Sequence, residues 1–135
     1  MSDAFSDSYE NKILQHFFEL SAPAVSRPSQ LYLALFTTGN HPTDSTFGTE
    51  ISGNNYSRVA VTMSVSGNVA SNGSNVVFPT ASGSWGTVTH IAFLDDATAS
   101  NASNMIAYSQ LATSKAINAD DVLTFLSGQL TVTLT

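Results

Sequence analysis

Apolar residues fall into two rhythms along this chain. Near the start, Ile13, Leu14, Phe17 and Phe18 recur at i, i+1, i+4 and i+5, the spacing that lines one face of a helix, while Glu10, Lys12, Gln15 and Glu19 fill the remainder. The pattern predicts a helix over Tyr9 to Leu20. Asp7 is its expected N-cap, with Glu10 three residues on to close a capping box, and Ser6 or Ser8 would shift that boundary by one. Pro23 stops it. Pro-Ala-Val-Ser-Arg-Pro, ending at Pro28, then favours an extended linker, because residues before proline are pushed out of the helical region.

From residue 29 the rhythm changes to strands. Leu31 to Thr37 is apolar on both faces, which predicts a central strand or one whose outer face is covered by the arm or a neighbour. Ser57 to Val65 alternates, with Val59, Val61, Met63 and Val65 on the inner side. Thr87 to Leu94 sets Ile91 and Phe93 against Val88, His90, Ala92 and Leu94. Val76 to Phe78, Met105 to Leu111, Val122 to Leu126 and Leu130 to Leu134 complete the set. Turn-forming runs such as Gly67-Asn68, Asn72-Gly73 and Ser127-Gly128 separate them. Seven or eight short strands predict a mainly β fold, an antiparallel β-sandwich of jelly-roll or Greek-key-like wiring with one short N-terminal α-helix. Residues 1–28 form the arm and 29–135 the sandwich module. The long loop from Thr38 to Tyr56 is expected to fold Phe47 and Ile51 back onto the core.

A helix of this length is marginal alone in water, so its Phe17-Phe18 face needs a surface, either its own sandwich or a neighbouring subunit. The intersubunit contact is expected, with Tyr9, Ile13, Leu14, Phe17 and Phe18 as the partner interface.

Composition narrows the function. The 135 residues suit one domain, and no cysteine is present to form a disulfide, a thiolate nucleophile or a zinc ligand. Only 10% of residues are charged, against about 25% in an average globular protein, which suits a chain packed against others. The four basic residues, Lys12, Arg27, Arg58 and Lys115, are dispersed among ten acidic ones, an arrangement that argues against nucleic-acid binding. No run reaches the roughly 20 apolar residues of a membrane span. Met1-Ser2-Asp3 lacks the start of a secretory signal, so synthesis and assembly in a cytoplasm are expected.

Candidate chemistry is sparse. His16, His41 and His90 have no neighbour at metal-ligand spacing, so no metal or cofactor is expected. Asp95-Asp96 and Asp120-Asp121 lack the spacing of a calcium loop and read as turns, although the two loops could share a weak ion if they met at one end of the sandwich. Gly83-Ser84-Trp85-Gly86 is a tight turn carrying one aromatic, and no nucleophile elbow or phosphate loop occurs. No catalytic residue is assigned.

Glu10-Asn11-Lys12-Ile13-Leu14, Leu31 to Thr37, Gly48-Thr49-Glu50-Ile51-Ser52-Gly53 and Tyr56-Ser57-Arg58 together carry a resemblance. Phe78-Pro79, Trp85 to His90, Thr113-Ser114-Lys115 and Gly128 to Thr131 extend it. Over nearly its whole length the chain resembles a family of small tailed-bacteriophage virion proteins, often labelled tail-fibre proteins and in some phages resembling capsid decoration, or cement, proteins. The resemblance implies a non-enzymatic structural protein without catalytic residues. A compact module lacking a repetitive stalk favours a decoration protein on the capsid surface of the virion, stabilising major capsid protein subunits as a homo-oligomer, with a trimer implied by the resemblance. The alternative is a tail-fibre or tail-tip component whose loops, Thr38 to Tyr56 or Asp95 to Asn104, bind a host-surface glycan.

Overall fold

In the computed structural model, residues 5–21 and 25–134 are described, so the expected stop at Pro23 lies outside the described residues. Among these, one helix, α1 (Asp7–Phe18), precedes the strands β1 (Leu31–Thr37), β2 (Val59–Val61), β3 (Met63–Ser66), β4 (Val69–Asn72) and β5 (Val76–Val77). The strands β6 (Gly86–Leu94), β7 (Met105–Ile117), β8 (Thr124–Phe125) and β9 (Thr131–Thr133) follow, with a short 3-10 turn at Ala102–Asn104 leading into β7. All pairings are antiparallel: a four-stranded sheet β2-β1-β6-β7, a three-stranded sheet β3-β4-β9 and a ribbon β5-β8. The chain thus forms the expected β-sandwich with a single N-terminal helix.

β1 is central, hydrogen-bonded to β2 on one side and β6 on the other. Leu33 and Leu35 pack with Val61, Phe78, Trp85, Ile91 and Phe93 in the core between the layers. Ala34 and Phe36 face the opposite way, against Ala92, Leu94 and Met105. That second face is covered by the long loop, not by the arm: the Phe47 ring meets Phe36 edge-on at 5.4 Å, and Phe47 is buried. Burying one such ring contributes roughly 1.5–3 kcal/mol, enough to hold a loop that has no regular structure of its own. Ile51 also folds back, half-buried against the main core, its N–H donating to Leu35 C=O at 3.1 Å.

Three local features depart from simple alternation. The run Ser57 to Val65 is not one strand. It breaks at Thr62, so that β2 belongs to the four-stranded sheet and β3 to the three-stranded one, a corner by which one segment serves both layers. Val65, past the corner, is 74% exposed. β4 carries too little apolar signal to be read from sequence. It is created by the two-residue hairpin Gly67-Asn68, where Gly67 takes φ +61°. In β6 the register shifts between Val88 and His90, and this irregularity turns Val88 to the same side as Ile91 and Phe93. A bulge moves every preceding side chain to the other face, so the grouping of Val88 with Ala92 and Leu94 fails there. Opposite Thr89, β7 swells through Leu111 to Ser114 before pairing resumes at Lys115.

The long loop is locked by a buried ion pair. Arg58 Nη2 lies 2.7 Å from Glu50 Oε1, with side-chain exposures of only 4% and 12%. Arg58 Nε donates to the same carboxylate, Nη1 donates to Asp96 C=O at 2.9 Å, and the guanidinium lies over the Phe47 ring. Tyr56 OH donates to Glu50 while accepting from the Leu35 N–H. Gly48, at φ +78°, makes the turn into this knot, where a Cβ would lie 2.5 Å from Asn40 O.

Burial, and then the Glu50 charge, push the Tyr56 phenol well above the ordinary tyrosine range. The unfolded chain releases that proton near pH 10, so the stability tied to the neutral phenol is whole below pH 10 and declines above it, by up to about 1.4 kcal/mol per pH unit. Urea midpoints measured from pH 9 to 11 should fall along that slope. Tyr56→Phe should make the decline shallower, and an unchanged slope would show that Tyr56 is not its source.

Candidate interaction surface

α1 is fastened to the module by its first two turns. Ser6 is the N-cap, its side chain accepting from Tyr9 N–H at 3.3 Å, so the cap falls one residue before Asp7 and no capping box with Glu10 forms. The reason is tertiary: buried Ser6 also donates through its backbone to Ile106 C=O at 2.9 Å and through its hydroxyl to Met105 C=O. Phe5 bridges to Ala107, and Asp7 N–H donates to Asp44 C=O. Tyr9 OH donates to Asp95, whose other oxygen accepts from Asn104. Burial and the Asp95 carboxylate hold the Tyr9 phenol above its usual range. Lys12 lies over the Tyr9 ring at 4.1 Å.

This anchoring inverts the usual amphipathic arrangement. Ser8, Tyr9, Lys12 and Gln15 are the half-buried residues of the helix, and at 3.6 residues per turn they share the side that faces the module. Ile13, Leu14, Phe17 and Phe18 lie on the opposite side, exposed at 37%, 57%, 67% and 78%. Leu20, just past the helix end at Phe18, is exposed too. The structure therefore divides the five predicted interface residues. Tyr9 is an anchor turned inward, and the other four form one continuous outward face that the sandwich of the same chain does not cover.

The remaining candidates resolve into structural roles. Trp85 is buried, its Nε1–H donating to Asn54 C=O at 2.9 Å, so it offers no platform for a sugar. Asp96 caps a turn by accepting from the Thr98 and Ala99 amides, bonds that hold its carboxyl below the usual carboxylate range. Asp121 likewise accepts from Asn118 N–H. Because Asp95-Asp96 follow β6 and Asp120-Asp121 follow its antiparallel partner β7, the two pairs sit at opposite ends and do not share a site.

Folding does bring two histidines together, which the spacing did not anticipate. His41, from the long loop, stacks on His90 of β6 with centroids 4.2 Å apart. His41 Nδ1 pairs with Pro42 C=O and His90 Nδ1 with the Thr89 hydroxyl. Among the described residues no three His, Asp or Glu converge as a metal site. No described helix is long and apolar enough to cross a membrane.

The mainly β fold with a single N-terminal helix is compatible with the small tailed-phage virion family that the sequence motifs resemble. The family described as Podophage GP4 fiber I protein gp80 matches residues 4–133, and the chain belongs to that family. Comparison with curated proteins finds no match.

Proposed function

We propose that this protein is a non-enzymatic structural subunit of the podophage virion, built into its fibre apparatus and held there by the apolar face of α1. The observation that carries this reading is the inverted helix: its polar side rests on the module while Ile13, Leu14, Phe17 and Phe18 point outward. The family description supports the fibre placement. The acidic groups support a structural role, since Glu50 is engaged by Arg58, Asp95 by Tyr9 and Asn104, and Asp96 by backbone amides.

Phe17→Ala combined with Phe18→Ala should leave a folded module that is absent from purified particles. Both rings are exposed, so their truncation removes docking area without opening a cavity in the core. Normal incorporation of that variant overturns the assignment.

Capsid decoration is the second reading, with α1 seated on the major capsid protein. It is favoured by the compact module, which among its described residues carries no shaft of repeats. Quantitative gel densitometry of whole particles separates the two: a few copies per virion place the subunit in a fibre, and hundreds place it on the head.

A further inference from the structure

The area, shape and charge of the outward face of α1 point to its occupant. We infer that it is α1 of a second copy of this chain, so that the arm is a self-association element. This inference rests on the reading of α1 as a docking helix and names its partner.

Area is the first argument. At the observed exposures, Ile13, Leu14, Phe17, Phe18 and Leu20 leave on the order of 600 Å² of largely apolar surface in water, the upper end for the largest patch on a monomer. Complete burial of two such faces removes at most about 1,200 Å², the lower bound of stable protein pairs.

Spacing is the second. Ile13, Leu14, Phe17 and Phe18 are arranged symmetrically about the Gln15–His16 midpoint. When two helices pack antiparallel at that midpoint, Leu14 comes level with Phe17 of the partner subunit, Ile13 lies along the same flank as that ring and Leu14 along the same flank as Phe18 of the partner subunit, and the reverse contacts follow from two-fold symmetry. Each of these contacts sets an aromatic ring against a branched aliphatic side chain.

Charge selects the same direction. Asp7 and Glu10 are the ionised residues on the apolar side of the helix, and side-by-side parallel helices would bring the two copies of each together. Antiparallel crossing holds the two copies of Glu10 roughly 16 Å apart at 1.5 Å rise per residue, and those of Asp7 farther still, beyond the Debye length of about 8 Å at physiological salt. The anchors at Ser6, Asp7 and Tyr9 already hold the helix formed, so association has little ordering entropy to overcome.

The test uses the full chain. Sedimentation equilibrium should give an assembly heavier than the 14.2 kDa monomer, and Leu14→Asp should return it to the monomer with unchanged near-ultraviolet circular dichroism. Because the chain has no cysteine, register is read by cross-linking: Ile13→Cys mixed with Phe17→Cys should form a mixed disulfide-linked pair on oxidation, and Ile13→Cys alone, whose copies lie about 7.5 Å apart along the axis, should not. A wild-type chain that stays monomeric at every concentration overturns the inference. So does an oligomer indifferent to Leu14→Asp, or self-linking of Ile13→Cys. A monomer whose incorporation into particles still requires Phe17 and Phe18 overturns the second copy alone and leaves the docking role standing.

Discussion

Arg58→Ala lowers the unfolding free energy by about 3–5 kcal/mol, because it leaves the Glu50 carboxylate buried with its main counter-charge gone. An exposed pair would be worth under about 1 kcal/mol, and the exposures of 4% and 12% decide between these cases. The loss spreads beyond the pair. Arg58 also holds Asp96 C=O and lies over Phe47, the ring that seals the outer face of β1. Denaturant unfolding followed by tryptophan fluorescence would measure it, since Trp85 lies in the main core. A double replacement, Glu50→Leu with Arg58→Met, should recover much of the loss, because the desolvation penalty disappears with the charges. A change below about 1 kcal/mol in Arg58→Ala would mean that the pair is solvated and the loop is held by Phe47 alone.

Asn72→Leu should cost about 3–5 kcal/mol, although it preserves the volume of a buried side chain. Asn72 is 1% exposed. Its Nδ2 donates to Ser74 C=O at 2.9 Å and to Leu126 C=O at 3.0 Å, while its Oδ1 accepts from Leu130 N–H at 2.9 Å. Leucine makes none of these three bonds; Leu126 C=O keeps the Gln129 N–H, but the buried Leu130 N–H is left unpaired, which costs about 1–3 kcal/mol. Its backbone adds a second set of bonds, donating to Leu130 C=O and accepting from Gly128 N–H. Asn72 is thus what fastens β4 to the turn that delivers β9. Hydrogen exchange should show the Leu130 amide losing protection in Asn72→Leu well before amides of β1. Retained protection at Leu130 would assign the hold to the backbone bonds instead.

Asn72 also shows what a linear reading misses. In sequence it stands before a glycine and reads as a turn former, and nothing local says that it is buried or that two of its side-chain partners lie more than fifty residues away. Glu50, Tyr56 and Arg58 were legible in a different sense. They belong to the stretch that carries the family resemblance, yet their joint role as the buried lock of a loop depends on the path between them. The same holds for His41 and His90, which become neighbours only when that loop crosses the sheet.

The outward face of α1 lies between these extremes. Spacing alone grouped Ile13, Leu14, Phe17 and Phe18 on one side of a helix, because the 3.6-residue period is a local property of the backbone. It could not tell which side rests on the module. That was decided by Ser6 and Tyr9, whose hydrogen bonds to β7 and to Asp95 turn the polar side inward. Likewise, alternation predicted strands, while the corner at Thr62 and the bulge at Thr89 emerged from pairing between distant segments.

The amino-acid order by itself determined the β-rich class, the single helix and its apolar quartet, and the family, because periodicity, turn chemistry and motif are written within a few residues of one another. Tertiary structure alone decided which face meets water, how the long loop is locked and which strands share a sheet. Those outcomes depend on hydrogen bonds and buried charges that become favourable only once remote parts of the chain have excluded water from between them.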